Sequence, residues 1–253
     1  MSTRSQSHTC LAHVVMVFGV LLVSWSLGAH AADLQQTVYD GTVGNRRIGL
    51  ILNTDGARVV GGRYYYLRHL VDIPITGERK GDIFMLHEPA GTFALHFVGN
   101  GSEHGQALGF NNSVGLEGTW SNGSKTWPVN LQGGGLTPAA PAQHWYESIT
   151  DQTDDVFEAR TRGFYDAVLK GDREQAARYA HFPLRVNRGA NHYELIRSPQ
   201  QLAAAWPRLF TPDYVAVIRD ASPHAMAVVQ GYAMLGDGLI YFSDNGAEVL
   251  NLP

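Results

Sequence analysis

Glycine is distributed unevenly along this sequence, and its spacing limits the folds that the chain can adopt. Residues 32–135 hold 19 glycines, whereas residues 136–253 hold seven. In the glycine-rich part, short apolar or β-branched runs are separated by turn residues such as Asp55-Gly56 and Asn122-Gly123, which favour tight hairpins. This alternation predicts eight antiparallel strands, near residues 37–42, 46–53, 59–67, 72–77, 82–88, 93–98, 114–120 and 126–131.

Eight consecutive strands with short connections predict a meander that closes on itself, because closure removes the exposed strand edges. Three segments of this part, 39–44 (YDGTVG), 62–66 (GRYYY) and 116–120 (LEGTW), resemble a small β-barrel module of exported proteins. The resemblance is to up-and-down meanders of the avidin and lipocalin type. No biotin site is inferred from it, since nothing else in the sequence matches one.

A change in composition marks a boundary between two parts of the chain. The consecutive glycines 133–135 are followed by the spaced prolines Pro138 and Pro141, a pattern that is typical of linkers. We therefore predict a β domain over residues 32–132, a linker over 133–147 and a second domain over 148–253.

The second part of the chain predicts a mixture of helices and strands. Apolar residues spaced in one stripe predict a helix over residues 151–170, capped by Thr150 or Asp151. Two further helices are expected over residues 173–180 and 199–210. Strands are expected near residues 183–188, 192–197, 213–219, 225–234, 239–243 and 247–252.

Three segments of the second part, 164–172 (FYDAVLKGD), 181–187 (HFPLRVN) and 231–242 (GYAMLGDGLIYF), resemble the nuclear-transport-factor-2-like (SnoaL-like) superfamily. The resemblance implies a cone-shaped domain in which helices pack on a curved antiparallel sheet. The mouth of such a cone can be an enzyme site, a ligand pocket or merely a core. The fold class expected for the chain is therefore α+β, an up-and-down β-barrel-like domain followed by a cone-shaped α+β domain.

The first 31 residues are predicted to be an export signal. Arg4 lies in a short polar start, residues 14–23 are apolar, and Ala29-His30-Ala31 has the small-x-small pattern of a cleavage site. Cleavage before Ala32 would give a periplasmic or secreted protein of bacterial type, and an uncleaved N-terminal anchor is the alternative. Cys10, the only cysteine, lies inside the signal, so the mature chain is expected to lack disulfides, thiolate metal sites and cysteine nucleophiles.

The net charge of the chain limits the classes of partner that we expect it to bind. The net charge is −4, and it becomes −5 without residues 1–31, whose only charged residue is Arg4. A weakly acidic chain lacks the positive footprint that nucleic acids and anionic membranes require. No segment after the signal is long and apolar enough to span a bilayer, so we expect a mature protein that is soluble.

The sequence contains no coherent catalytic set. Residues 99–105 fail as a dinucleotide-binding loop because the third glycine comes one residue late, and residues 123–126 fail as a phosphate loop because no helix follows. Both segments are predicted to be turns. His87 and His96 lie on neighbouring predicted strands near two glutamates, but spacing alone does not make a metal site. We predict neither a metal nor a cofactor.

Four residues of the second domain are candidates for a pocket. The superfamily resemblance implies that enzymes of this type use a buried carboxylate or histidine as base and a tyrosine as electrophile. The corresponding candidates are His181, Tyr165 and Tyr241, and Trp206 could cover the mouth of the cone or belong to its core. Arg185 alternates with apolar neighbours along its strand, so it is expected either to point outward or to pair with an acidic residue on the helix side.

Three functional interpretations follow. The first is a non-catalytic exported protein that binds a small apolar ligand or a protein partner. The second is an isomerase, dehydratase or hydrolase that uses His181 with Tyr165 or Tyr241. The third is a structural module in which the second domain forms a homodimer.

Overall fold

The computed structural model of the chain describes residues 34–56, 58–102, 105–139, 144–189 and 192–253. The predicted export signal, its cleavage site and Cys10 lie outside the described residues. None of the helices in the described ranges is long and apolar enough to cross a membrane.

A closed antiparallel β-barrel forms the first part of the structure. Each strand pairs with the next one along the chain, and the last strand returns to pair with the first, with Tyr39 opposite Gly133. All eight predicted strands are confirmed, and so is the predicted closure. The strands are β1 (Gln35–Val43), β2 (Arg46–Asp55), β3 (Arg58–Tyr66), β4 (Ile73–Lys80), β5 (Ile83–Glu88), β6 (Gly91–Val98), β7 (Gly115–Ser121) and β8 (Thr126–Gly133).

Apolar side chains fill the interior of the barrel, because alternate residues of each strand point inward. One mouth carries the β1–β2, β3–β4, β5–β6 and β7–β8 turns. At the opposite mouth, the guanidinium of Arg79 lies over the rings of three phenylalanines, Phe84, Phe97 and Phe110. The buried interior residues include Tyr39, Ile48, Leu50, Leu52, Tyr64, Phe84, Leu86, Phe93, Leu95, Leu116, Trp120 and Leu131.

Four helices pack on a six-stranded sheet in the second part, which confirms the predicted α+β class. The strand order is β11-β10-β15-β14-β13-β12. The sheet is mixed rather than wholly antiparallel, because β10 and β15 run parallel to each other. The elements are α1 (Asp154–Lys170), α2 (Arg173–Arg178), β10 (Ala180–Arg188), β11 (Tyr193–Ile196), α3 (Pro199–Leu209), α4 (Pro212–Asp220), β12 (Ala227–Val229), β13 (Tyr232–Leu235), β14 (Ile240–Ser243) and β15 (Gly246–Leu252).

The strand predicted over residues 213–219 is wrong, since these residues belong to α4. Its β-branched composition resembles a strand, but Thr211 accepts a hydrogen bond from the backbone of Tyr214, and Pro212 occupies the first turn. The buried residues of the segment, Tyr214 and Ile218, are four apart and share one helix face. Helix α1 also begins later than predicted, with Thr153 at its N-cap position.

The barrel and the C-terminal region share apolar contacts. Residues 32–253 form one compact unit. Ile51 and Tyr65 of the barrel belong to the same buried cluster as residues of the helices and the sheet. Gly49 faces Tyr65 across the β2–β3 pair, and any side chain on Gly49 would overlap the Tyr65 ring. Gly49 thus leaves room for Tyr65 to reach the C-terminal region.

The segment predicted as a linker makes defined contacts. Its strand β9 (Thr137–Pro138) pairs with the start of β1. Beyond the undescribed residues 140–143, the indole N–H of Trp145 donates to the carbonyl oxygen of Met226 over 2.7 Å. Trp145 and Tyr146 are buried in the C-terminal core.

Candidate functional site

An open cleft lies at the barrel mouth that carries the β1–β2 and β3–β4 connections. Its volume is about 660 Å³, within the usual range for ligand-binding clefts. None of the described residues that line it is acidic. We call it the basic cleft and define it by Asn45, Arg46, Arg47, Tyr66, Arg68 and His69.

Strand register brings these basic residues together. Ile48 is opposite Tyr66 in the β2–β3 pair, and the Leu67 N–H donates to the carbonyl oxygen of Arg47 over 3.1 Å. The β2–β3 pairing ends there, and Arg46 and Arg68, which lie just beyond it, both line the cleft. The chain then makes a tight turn. In this turn the N–H groups of residues 69 and 70 both donate to the Tyr66 carbonyl oxygen over 2.8 Å. The turn holds Arg68 and His69 at the rim.

Aromatic rings support Arg46 from within the barrel mouth. Its guanidinium carbon lies 6.0 Å from the centre of the Tyr66 ring and 5.5 Å from that of Trp127. Trp127 in turn stacks on Trp120, with ring centres 5.0 Å apart. These contacts restrain the guanidinium but leave its N–H groups without a carboxylate partner.

The charges of the basic cleft are only partly compensated. Within the described ranges, neither Arg46 nor Arg68 forms an ion pair, whereas Arg47 pairs with Asp220 of α4 over 3.0 Å. Like charges gathered in one cleft repel one another and lower stability. An anion bound between Arg46 and Arg68 would remove that cost, so the cleft is suited to bind acidic groups.

A second group of charges joins the barrel to the C-terminal region. Glu158 of α1 accepts hydrogen bonds from His224 Nδ1 at 2.6 Å and from Arg162 at 2.8 Å. On its other side, His224 Nε2 bonds Asp72 of the barrel at 3.0 Å. We call Asp72, Glu158, Arg162 and His224 the junction cluster.

Two tyrosines extend the junction cluster. Tyr146 donates to Glu158 over 3.0 Å and accepts from the Met226 N–H over 3.0 Å. Tyr65 donates to the carbonyl oxygen of His224 over 3.1 Å. The Glu158 carboxylate and the His224 ring are therefore each held by several hydrogen bonds, which is how buried charge is tolerated.

The electrostatics of the junction cluster favour a structural role. Burial lowers the pKa of His224, but the bonds to Asp72 and Glu158 outweigh burial and raise it from 6.5 to about 9. Burial raises the pKa of Glu158, but the bonds from His224, from the Ala225 N–H and from Arg162 together lower it. His224 is therefore charged at neutral pH. With both ring nitrogens bonded to carboxylates, it has no lone pair for general-base catalysis.

The four pocket candidates lie in different surroundings. Trp206 is buried in the C-terminal core, with its ring centre 4.3 Å from that of Phe210. Tyr241 alternates with the buried Ile240 and Phe242, so it lies on the opposite face of the sheet.

Tyr165 and His181 are also apart from the others. The Tyr165 hydroxyl donates to the carbonyl oxygen of Arg219 over 3.0 Å, and burial raises its pKa. His181 lies half-buried in β10. Across the described residues, no hydrogen bond or ring contact joins any two of Tyr165, His181, Trp206 and Tyr241.

The other residues considered from the sequence have ordinary partners. His87 bonds Thr92 at 3.1 Å, and His96 bonds Glu117 at 3.2 Å. In the β5–β6 pair, His96 is opposite Ile83 and His87 is opposite Thr92, so the two histidines lie at different ends of the hairpin. Arg185 is exposed, as its strand position predicts.

Sequence reasoning did not single out the basic cleft or His224. The cleft could have been found by folding the predicted β2–β3 hairpin about Gly56, which places Arg46 close to Arg68. His224 lies 66 residues from Glu158 and 152 from Asp72, so no local pattern connects them.

No known protein family, curated protein or solved structure matches this chain.

Proposed function

We propose that this chain is an exported, non-catalytic binding protein whose site is the basic cleft and whose ligand carries an acidic group. The observation that carries the proposal is the convergence of Arg46, Arg47, Arg68 and His69 on one cleft, where none of the lining residues that the structure describes is acidic. Guanidinium groups suit such a ligand, because their planar arrays of donors match carboxylate and phosphoryl oxygens. The protein as a whole is acidic, with a net charge of −4, so this concentration of positive charge is local.

A polar ligand fits the structure better than the small apolar ligand expected from the sequence. Apolar side chains occupy the barrel interior and the core beneath the C-terminal sheet. The basic cleft, in contrast, offers uncompensated donors in an open space. The absence of bonds among the four pocket candidates and the occupied nitrogens of His224 support a non-catalytic role over the enzyme alternative.

We also infer that the C-terminal region has the fold of the nuclear-transport-factor-2-like superfamily. What supports this is the order of two helices, the β10–β11 hairpin, helix α3 and a final run of antiparallel strands, with α4 in place of one expected strand. Export to the periplasm remains part of the proposal because of the apolar run and small-residue motif in residues 1–31. Fractionation of cells that express the chain, with N-terminal sequencing of the product, tests this location.

Calorimetric titration with inorganic pyrophosphate at low ionic strength tests the binding function. The variant Arg68→Gln removes one unpaired charge from the cleft, and the control Arg197→Gln removes the charge of an exposed arginine before α3. Charge-assisted hydrogen bonds contribute about 1.5–3 kcal/mol, so we expect R68Q to weaken binding about tenfold or more. R197Q should bind like the unaltered protein. Equal affinities of R68Q and R197Q, or no binding at all, would refute the proposal.

A further inference from the structure

We propose that the ligand of the basic cleft is a small polyanion with at least two acidic groups, one of which replaces Asp220 on Arg47. This inference rests on the proposed function and specifies the ligand class of the same site. It concerns the number of acidic groups in the ligand and the way in which the ligand binds Arg47.

The arrangement of charge indicates more than one acidic group. Arg46 and Arg68 both line the basic cleft, neither forms an ion pair with a described residue, and together they form one binding position. Arg47 neighbours Arg46 but points to the other face of β2, toward the C-terminal region, and so forms a second position at the rim. A single phosphate or carboxylate would neutralise the first position and leave Arg47 paired with Asp220. A cleft of about 660 Å³ has room for a ligand that reaches both.

The chain itself shows what the second position accepts. Asp220 places a carboxylate oxygen 3.0 Å from Arg47, so an acidic group already sits where the ligand would bind. The Asp220 side chain is 74% exposed, and solvent screens such a pair. Asp220 is also the last residue of α4, where the negative end of the helix dipole disfavours a carboxylate. A ligand can therefore displace it at little cost.

The open, bounded shape of the basic cleft favours a small soluble molecule over an extended polymer. Phosphoryl and carboxylate groups share the chemistry that the guanidinium groups recognise. Pyrophosphate is the probe for phosphoryl ligands, and citrate is the probe for carboxylate ligands. Inorganic phosphate is the probe with a single acidic group.

Titration of these probes into the protein and two α4 variants tests the inference. Asp220→Asn frees Arg47, whereas the control Asp213→Asn removes the same charge from the exposed first turn of the same helix. We expect pyrophosphate or citrate to bind at least tenfold more tightly than phosphate. We expect D220N to tighten that binding about twofold to fivefold, the range set by an exposed ion pair, and D213N to leave it unchanged. Circular dichroism checks that both variants are folded.

The outcomes separate this inference from the function on which it rests. If R68Q weakens pyrophosphate binding but D220N behaves like D213N, the displacement of Asp220 is refuted and the binding function stands. If phosphate binds as tightly as pyrophosphate and citrate, the requirement for several acidic groups is refuted. If no probe binds, or if R68Q binds each probe as the unaltered protein does, both proposals fail. Thermal shifts with the same probes give a second readout for any variant of low yield.

Discussion

Replacing Glu158 by glutamine (E158Q) removes one negative charge from the junction cluster while it preserves the size of the side chain. The Glu158 side chain is 8% exposed. Its carboxylate accepts hydrogen bonds from His224, Arg162, Tyr146 and the Ala225 N–H. The substitution leaves the positive charges of His224, Arg162 and Arg63, the last of which pairs with Asp72 over 3.1 Å, with one fewer carboxylate to balance them.

The expected loss of stability follows from this burial. Removing one partner of a buried ion pair costs about 3–5 kcal/mol, because the remaining charge is left uncompensated. His224 retains Asp72, and the glutamine oxygen can still accept a bond from Tyr146, so we expect the lower end, about 3 kcal/mol. For a protein of this size, that loss lowers the Tm by about 6–12 °C.

Urea unfolding at pH 7, followed by circular dichroism, measures this change in the free energy of unfolding. Glu117→Gln is a matched control, because Glu117 also pairs with a histidine, His96, but its side chain is 50% exposed. The control should lose only about 0.2–1 kcal/mol. If E158Q and E117Q lose the same free energy, the junction cluster does not stabilise the structure as a buried network, and the reasoning is refuted.

Three further predictions concern pH and packing. Because the folded-state pKa of His224 is raised from 6.5 to about 9, its contribution to stability is fully present below pH 6.5 and is lost as pH rises through about 9. The difference in unfolding free energy between the protein and H224Q should therefore shrink over that range, and a constant difference would contradict it. Gly49→Ala should displace the Tyr65 ring and cost more stability than Gly109→Ala, where an added Cβ would meet only an ordinary contact at 3.6 Å, as measured by urea unfolding. Trp206→Ala should cost about 3–5 kcal/mol, because the side chain is buried in the core, and a near-neutral result would indicate an unpacked pocket there.

The barrel could be predicted from the sequence because its determinants are local. Turn residues such as Asp55-Gly56 set each hairpin, and alternation sets which face is buried. Helix α4 could not be separated from a strand in the same way. Val215, Val217 and Ile218 favour strands by composition, and the helix is decided by the Thr211 cap and by the tertiary burial of Tyr214.

The candidate sites were harder to predict because they depend on contacts between distant residues. The basic cleft needs the register of β2 against β3 and the docking of α4, which supplies Asp220 to Arg47. The junction cluster needs the barrel and the C-terminal region to meet before Asp72 reaches His224. Sequence motifs consist of residues that are close together along the chain. They cannot reveal a site whose residues come together only when the chain has folded.

The parallel pairing of β10 with β15 has a consequence for the order in which the chain can fold. Strand β15 lies inside the C-terminal sheet, between β10 and β14, although it is the last strand along the sequence. The sheet therefore cannot close around its core until Gly246–Leu252 are available, and contacts distant in sequence make such assembly slow. The barrel, whose neighbouring strands are mostly consecutive, can form earlier. Folding of this chain during synthesis should thus proceed from the barrel to the C-terminal region, with Tyr65 exposed until its partners arrive.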